Sequence, residues 1–421
     1  MCWHEEESFN MHERNTTRWP VGGYVSLTLA MMGIGLAMGT GLPALALGLT
    51  GRGWGPSEVG LGVALLALGQ VLALPVALRA LAGGRARRVL GMGLAVTALG
   101  LLSWAWLLPA EGGGAGWLAL SVLLTGVSLG VVFNVSETWV HELVPASQRG
   151  RWVAVHCTLF TLAQLAGPLL LQWAGQGPGL SVAAALVGLM ATGLVGLPPK
   201  MAAVPEADPS EGASTGGVKG LVMLCGAAPA TLWATALFAL FDTVVLSLLP
   251  LYLQQQGFGL AAALTSASVV LLGDVLLEVP VGWWADRWGV GRVQAACAAV
   301  LAASALAMPW ALPWGPSIAW WALMAVLGAA AGGIYVVSLT ACGHQFQGRA
   351  LARMTALLGA AWGVASCVGP VVAGQALGWG GAWSLPALLM AGAVLLGAGL
   401  WWEGRPGASA LRRQCQERPI P

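Results

Sequence analysis

The sequence predicts an all-α integral membrane protein, with twelve transmembrane helices arranged as two pseudo-symmetric halves of six. Three observations predict this fold: the composition, a series of long apolar runs and an internal repeat. Of the 421 residues, 57% are hydrophobic and only 9% are charged, whereas a soluble domain is about a quarter charged. Because one helix needs about 20 mostly apolar residues to cross a bilayer, this chain can cross it many times.

Twelve apolar runs are each predicted to form one membrane-spanning helix. They cover residues 21–43, 59–78, 89–108, 117–140, 152–173, 180–197, 229–253, 262–284, 293–312, 317–340, 354–376 and 385–402. The stretch "PPKMAAVPEADPSEGASTGGVKG" between the sixth and seventh runs is rich in Pro, Gly, Ser and acidic residues, which is typical of a linker. The predicted units are an N-terminal tail (1–20), a first half (21–197), a linker (198–220), a second half (221–402) and a C-terminal tail (403–421).

The distribution of basic residues predicts the orientation of these helices. With the N-terminus placed inside, 18 of the 19 Lys and Arg residues fall on the inside, and only Arg52 falls outside. Cytoplasmic loops carry the excess of Lys and Arg in multi-pass proteins. We therefore expect both termini and the linker to be cytoplasmic.

The two halves repeat each other in sequence. The segment "LGQVLALPV" in the second span corresponds to "LGDVLLEVPV" in the eighth, and "LAGPLL" in the fifth corresponds to "CVGPVV" in the eleventh. The second correspondence pairs Gly167-Pro168 with Gly369-Pro370. A duplicated six-span unit with a central linker is typical of transporters whose substrate site lies near the membrane midplane, between the repeats.

The loop after the eighth span, "GWWADRWGVGR", resembles the loop motif of the major facilitator superfamily, G-x-x-x-D-R-x-G-R-R. The matching residues are Gly282, Asp286, Arg287, Gly289 and Arg292, whereas Val290 and Gly291 replace basic positions of the motif. Two further segments, "NVSETWVHELVPASQRGR" and "LLPLYLQQQGF", are similar to the YcaD-like branch of bacterial permeases. The resemblance covers about residues 20–402. It implies the twelve-helix fold of that superfamily and a multi-pass protein of the bacterial inner (plasma) membrane.

The resemblance also implies a role for the loop motif in gating. Asp286 would lie near the start of the eleventh span, where the helix dipole favours a carboxylate. Together with Arg287 and Arg353 it would hold the cytoplasmic side closed in one conformation. The alternative is a solvated loop charge, because surface ion pairs are weak. The equivalent loop of the first half, "LRALAGGRARR", has no Asp, so the resemblance does not extend to a latch there.

Four of the 17 acidic residues fall within predicted spans: Glu137, Asp242, Asp274 and Glu278. No Lys or Arg shares their depth, so none of them has an obvious ion-pair partner. A carboxyl group in apolar surroundings tends to keep its proton, and acids inside the membrane are functional candidates by default. Asp242 is the first candidate for a proton site, because it lies near the middle of the seventh span. The resemblance implies that this span lines the central cavity.

Glu137 and Asn134 lie one turn apart near the cytoplasmic end of the fourth span, which the resemblance also places at the cavity. Residues at this spacing share one face of a helix, so the pair could bind substrate. Glu137 could equally anchor the following loop through Arg149 or Arg151. Both roles are kept as alternatives.

Asp274 and Glu278 share one face of the eighth span, because they are four residues apart. Two close carboxyl groups cannot both ionise cheaply, so at least one of them is expected to be protonated. Gln70 stands in the first half where Asp274 stands in the second, so the scaffold accepts a neutral hydrogen-bonding group there. Hydrogen bonding between helices is therefore the alternative role of Asp274.

The leading hypothesis is a secondary active transporter that moves a small solute across the inner membrane by alternating access, coupled to protons. A passive facilitator and a non-transporting membrane scaffold are the alternatives. A remote alternative is an intramembrane aspartyl protease, because Asp242 and Asp274 lie on neighbouring spans and paired aspartates can activate water. The chain has no phosphate-binding loop motif that would point to ATP-driven transport.

The expected partners are a small-molecule substrate, the lipid bilayer and protons, and the expected state is a monomer. We expect no cofactor and no metal, since the seven scattered Cys residues lack metal-ligand spacing. A net charge of only +2 argues against a nucleic-acid partner. The absence of a basic cluster at midplane depth argues against a phosphate or polycarboxylate cargo.

Overall fold

The computed structural model describes residues 21–82, 86–109, 114–144, 149–196, 228–346 and 348–403. The helices of the first half are α1 (Val21–Gly51), α2 (Pro56–Leu72), α3 (Leu74–Ala82), α4 (Ala86–Leu107), α5 (Ala115–Leu143), α6 (Arg149–Ala174) and α7 (Gln176–Thr192). Those of the second half are α8 (Pro229–Ser247), α9 (Leu249–Gln255), α10 (Leu260–Trp288), α11 (Val290–Ala311), α12 (Ile318–Gln345), α13 (Gly348–Trp379) and α14 (Ser384–Glu403).

These helices confirm the all-α membrane fold. Eleven segments of the described chain are long and apolar enough to cross a membrane, and α7 is a shorter apolar helix of 17 residues at the sixth predicted span. The second predicted span is divided between α2 and α3 at Ala73, and the seventh between α8 and α9 at Leu248. Each break lies two residues before a proline, whose ring cannot continue a regular helical ladder.

Some predicted boundaries are wrong. The first span was expected to end at residue 43, but α1 continues to Gly51 with Pro43 inside the helix. Membrane helices tolerate an internal proline when neighbouring groups satisfy the freed backbone. The sixth span was expected at 180–197, but α7 ends at Thr192 and a 3-10 turn follows. The predicted tails and linker lie outside the described residues, apart from Glu403 at the end of α14.

Close helix packing within each half depends on glycines. A Cβ added to Gly69 in α2 would meet the backbone of α5, and a Cβ added to Gly273 in α10 would meet the backbone of Ala325 in α12. Small residues allow such backbone-to-backbone approach, which supplies much of the packing energy between membrane helices. The same device therefore joins equivalent helices in the two halves.

The two halves are joined mainly by α2 against α13 and by α6 against α10. We define the terminal side of the bundle as the side where α1 begins and α14 ends, and the far side as the opposite one. Near the far side, a Cβ on Gly60 would meet the carbonyl of Pro370. Thr265 donates a hydrogen bond to Gln172 at 2.8 Å, and Ser268 donates one to the carbonyl of Leu165 at 2.9 Å. These contacts hold the halves together on the far side.

Candidate functional site

Asp242 lies in the interior of the bundle, near the middle of the broken helix formed by α8 and α9, and is 7% exposed. Gln164 of α6 donates its amide hydrogens to this carboxyl group, with Nε2 at 3.3 Å from Oδ1 and 3.4 Å from Oδ2. Gln164 is buried as well. Because α6 belongs to the first half and α8 to the second, this hydrogen bond joins the halves at their centre.

Glycines of α1 fix the position of Gln164. A Cβ on Gly39 would collide with the backbone carbonyl of Gln164, and a Cβ on Gly35 would collide with the carbonyl of Phe160, one turn earlier. Gly167 in turn packs against the backbone of Gly39. The two helices can approach this closely only because these positions lack side chains. The tight contact holds the α6 backbone in place while the Gln164 side chain extends to α8.

Asp242 borders a small cavity between the halves, with a volume of about 10 Å³. Its lining comprises Met38, Leu42, Val63, Leu66, Ala67, Gln70, Asp242, Thr243, Trp362 and Ser366. Such a volume holds roughly one water molecule. The structure thus brings together two of the predicted site residues, Gln70 and Asp242, in a space too small for a solute.

The internal repeat relates two polar side chains beside Asp242. Gln164 stands three residues before Gly167, and Ser366 stands three residues before Gly369, the glycine that the repeat pairs with it. Gln164 binds Asp242 directly, whereas Ser366 lines the cavity beside it. Equivalent positions of the two halves therefore converge on one carboxyl group.

Asp274 and Glu278 lie farther along α10 toward the terminal side, and both are partly exposed. A Cβ on Gly332 of α12 would collide with the Asp274 carboxyl group, so this side chain packs directly against α12. Gln70 has a similar setting in the first half, where its backbone packs on Gly130 of α5. Within the described chain, neither carboxyl group forms a hydrogen bond or an ion pair.

Glu137 and Asn134 line the same face of α5 and are both partly exposed. The Asn134 amide donates to the carbonyl of Gly130 at 2.7 Å, so it is engaged within its own helix. Glu137 has no hydrogen-bond or ion-pair partner among the described residues. The side chains of Arg149 and Arg151 lie outside the described residues, so the loop-anchoring alternative stays a prediction.

Three aromatic side chains of the second half form a cluster that we name the aromatic trio: Phe238 of α8, Tyr335 of α12 and Trp362 of α13. The ring centroids of Phe238 and Tyr335 are 4.9 Å apart with an interplanar angle of 11°. Trp362 meets both rings edge-on, at 5.6 Å from Phe238 and 5.2 Å from Tyr335. Glu137, Asp274 and Glu278 all interact electrostatically with the Tyr335 hydroxyl. Carboxyl groups from both halves therefore contribute to the electrostatic environment of Tyr335.

The predicted site residues did not include Gln164 or the aromatic trio. The sequence carries one signal for Gln164, a polar side chain inside an apolar span, but its partner lies 78 positions away. The aromatic residues resemble ordinary core residues at the level of sequence. Their grouping depends on how α8, α12 and α13 are rotated against each other.

The loop motif forms the end of α10 and the turn into α11. Gly289 has a φ of 91°, a left-handed conformation that favours glycine. Arg287 stacks over the ring of Trp283 in its own helix, with Cζ at 5.6 Å from the centroid. Asp286 is exposed and makes no hydrogen bond or ion pair with any described residue. The side chain of Arg353 lies outside the described residues, so a contact between the two remains a prediction.

The remaining motif residues flank this turn. Gly282 is partly buried with Val336 of α12 nearby, and Arg292 is exposed in the first turn of α11. A metal centre is not formed here: in the part of the chain that the structure describes, no three His, Cys, Asp or Glu residues are grouped to hold an ion.

Two helical halves with a polar site between them define the class of the protein as a membrane transporter. The family model of the Major Facilitator Superfamily matches residues 26–273 and 265–417. The chain belongs to this superfamily. Its members are transporters and not enzymes, so the aspartyl protease alternative is wrong.

Solved structures with the same fold are transporters as well. A point mutant of the nucleoside transporter NupG has a TM-score of 0.72 at 13% identity, covering 91% of this chain and 100% of that one. A D-xylose-proton symporter has a TM-score of 0.68 at 17% identity, covering 92% and 99%. The xylose transporter XylE from E. coli, in a partially occluded inward open conformation, has a TM-score of 0.67 at 14% identity, covering 92% and 100%. At these identities the likeness shows the fold alone. A comparison with curated proteins gives no match.

Proposed function

We propose that this protein is a secondary active transporter that moves a small solute by alternating access and couples that movement to protons through Asp242. One observation carries the proposal: the hydrogen bond from Gln164 to Asp242 joins the two halves at a buried cavity. Hydrogen bonds to a charged acceptor are roughly twice as strong as neutral ones. Protonation of Asp242 therefore weakens a bond that holds the halves together.

The groups around Asp242 favour neutralisation of its charge by a proton and not by an ion pair. The groups that bind Asp242 or line its cavity are neutral, among them Gln164 from α6, Gln70 from α2 and Ser366 from α13. Asp274, on which the charge of Asp242 acts, is an acidic group as well. A buried carboxyl group in this setting exchanges a proton more readily than it recruits a counter-ion.

The geometry of the contacts supports alternating access. The cavity beside Asp242 holds about one water molecule, so a solute can pass only if the halves move apart. The described hydrogen bonds between the halves lie from the centre toward the far side, whereas Glu137, Asp274 and Glu278 are partly exposed toward the terminal side. With cytoplasmic termini, this arrangement is an inward-facing state. A bacterial Spinster homologue of the same fold, with a TM-score of 0.63, was solved inward-facing and unoccupied.

We assign both termini to the cytoplasm on the strength of the basic-residue distribution. Cysteine labelling tests this orientation: the Asp208→Cys variant in intact cells should not react with a membrane-impermeant thiol reagent. An Arg52→Cys variant, on the single basic position expected outside, is the matched control and should react. Ready labelling at position 208 would reverse the orientation.

We also propose that Asp286 closes the terminal side in the opposite, outward-facing state. In the present state Asp286 is exposed, as expected when the terminal side is not held shut.

The assignment to the YcaD-like branch and to a bacterial inner membrane rests on the segments "NVSETWVHELVPASQRGR" and "LLPLYLQQQGF".

The coupling proposal is tested by spin-label distances without any substrate. In a cysteine-free background, labels at Arg88→Cys and Gly291→Cys report the separation of α4 and α11 on the terminal side. We expect the distance distribution of the wild-type site to change between acidic and alkaline pH, because protonation weakens the Gln164 bond. Asp242→Asn should abolish the change, and the matched variant Asp274→Asn should retain it.

Two outcomes of the distance measurement would overturn the coupling proposal. If Asp242→Asn responds to pH as the wild type does, another carboxyl group carries the proton. If the wild-type distances are independent of pH, the passive facilitator becomes the better description of transport by this protein.

A further inference from the structure

The carboxyl groups that face the centre from the terminal side have no partners in the described chain. Glu137, Asp274 and Glu278 form no hydrogen bond or ion pair with any described residue, and each is partly exposed. All three act electrostatically on the Tyr335 hydroxyl, although they come from both halves. The geometry supports this for Asp274, which packs against Gly332 of α12, three residues before Tyr335 on the same helix. Inside a membrane, such carboxylates are neutralised either by protons or by a positively charged partner.

The aromatic trio supplies a second, independent feature of the same space. Phe238 and Tyr335 are stacked, and Trp362 stands edge-on to both. The faces of aromatic rings carry negative electrostatic potential, which attracts organic cations. Tyr335 and Trp362 are only partly buried, so parts of these rings can be reached by a ligand that enters between the halves.

Two amide groups near this space are already engaged in hydrogen bonds. The amide of Asn134 is bound to a backbone carbonyl and the amide of Gln164 to Asp242. Ser366 is 5% exposed, lines the cavity beside Trp362 and has no hydrogen-bond partner within the described chain. A hydroxyl group can accept or donate, whereas an anionic substrate would need fixed donors or positive charges. Within the residues that the structure describes, every Arg lies near a helix end or in a turn between helices.

We propose that the substrate is an organic cation with an apolar, ring-bearing body, bound between the aromatic trio and the carboxyl groups of Glu137, Asp274 and Glu278. The rings hold the body of the cation, and the carboxylates balance its charge. This inference deepens the proposed function and rests on it, because it names the substrate class of the same site.

Tetraphenylphosphonium is a suitable probe, and tetraphenylborate is a control of the same shape with the opposite charge. Ligands that bind only the folded state raise its apparent stability. We expect tetraphenylphosphonium to raise the unfolding temperature of the purified protein in detergent and to quench its Trp fluorescence saturably. Tetraphenylborate, uridine and D-xylose should do neither. Equal effects of the two tetraphenyl ions would show apolar partitioning only, and a response to uridine or D-xylose alone would show a neutral polar substrate; both overturn the proposal.

Substitutions of the proposed site residues test where tetraphenylphosphonium binds. We expect Trp362→Leu and Glu278→Gln each to weaken tetraphenylphosphonium binding by about tenfold. Trp106→Leu is the matched control, because Trp106 is 81% exposed on α4, and its affinity should equal that of the wild type. Trp362→Phe keeps a ring and should lose less than Trp362→Leu, which separates loss of the ring from a folding defect. Unchanged affinity in both site variants would overturn the proposed location.

Failure of this inference is distinguishable from failure of the proposed function. The pH-dependent distance change between α4 and α11 is measured without a ligand. If that change is present and requires Asp242 but tetraphenylphosphonium does not bind, the substrate class is wrong and the coupling proposal stands. If tetraphenylphosphonium binds but the distances between α4 and α11 do not depend on pH, the proposed cation site is supported and the proposed proton coupling is wrong.

Discussion

The two halves of the molecule share their packing but differ in the chemistry they bring to the centre. In the first half Gly69 packs α2 on α5, and in the second Gly273 packs α10 on α12. At the central cavity, the first half contributes the amides of Gln70 and Gln164, whereas the second contributes the carboxyl group of Asp242 and the ring of Trp362. Duplication has thus preserved the scaffold while the site residues diverged, so each half can be altered at equivalent positions and the results compared.

The largest effect is expected from the shared packing. Gly69→Val and Gly273→Val each place a side chain against backbone atoms, and overpacking costs about 1–3 kcal/mol or more. Thermal unfolding of the purified protein should show a similar loss of stability for the two variants. Gly116→Val is the control, because nothing lies within 4 Å of a Cβ at that position. A loss of stability in only one of the two variants would contradict the equivalence of glycine packing in the two halves.

The second-largest effect is expected to distinguish Gln164 from Ser366, which occupy equivalent positions in the two halves. Gln164→Ala removes a hydrogen bond to an acidic group, and such bonds contribute about 1.5–3 kcal/mol when the partner is charged. We expect the pH-dependent distance change between α4 and α11 to shrink strongly in this variant. Ser366→Ala, which removes no described hydrogen bond to Asp242, should titrate nearly as the wild type does. Equal losses in the two variants would mean that the halves contribute equally to the response.

A smaller effect is expected from exchanging the polar groups of α2 and α10. Gln70→Asp puts a second carboxyl group on the cavity of Asp242, and two close carboxyl groups favour sharing one proton. The midpoint of the pH-dependent distance change should therefore move to higher pH, by about one unit. Asp274→Gln should move the midpoint less, because Asp274 packs on α12 and does not line that cavity. A midpoint that moves only in Asp274→Gln would assign the proton site to α10.

The smallest effect concerns how the first helix of each half is anchored on the terminal side. Glu403 of α14 accepts a hydrogen bond at 2.7 Å from the backbone N–H of Ala230, in the first turn of α8. Tyr24 of α1 instead donates to the carbonyl of Trp152 in α6 at 2.7 Å. Glu403→Ala and Tyr24→Phe should each lower the free energy of unfolding by about 1 kcal/mol, as measured by denaturation. Glu403→Gln retains an acceptor and should lose less than Glu403→Ala; an equal loss would show that the acceptor is not what matters.

The sequence alone predicts the helices well and the partners of the site poorly. Hydropathy identifies the spans because bilayer thickness imposes a length on each one, and depth along a helix singles out Asp242. The predicted end of α1 is wrong because Pro43 resembles a helix terminus in the sequence, whereas the helix continues through it. The bond between Gln164 and Asp242 spans 78 positions. It depends on the rotation of two helices in different halves, which local pattern does not encode.

The contact between α2 and α13 has a consequence for how the protein tolerates change. Pro370, Gly374 and Gly378 recur every fourth residue on one face of α13, and Gly374 meets the backbone of Pro56 and Gly60 in α2. The two helices meet here almost backbone to backbone, with few side chains between them. Almost any larger side chain at these positions would therefore prevent the contact. In a complete substitution scan of α13, harmful substitutions should therefore recur at every fourth residue along this face. At exposed positions between them, such as Val372 and Gln375, apolar replacements should have little effect.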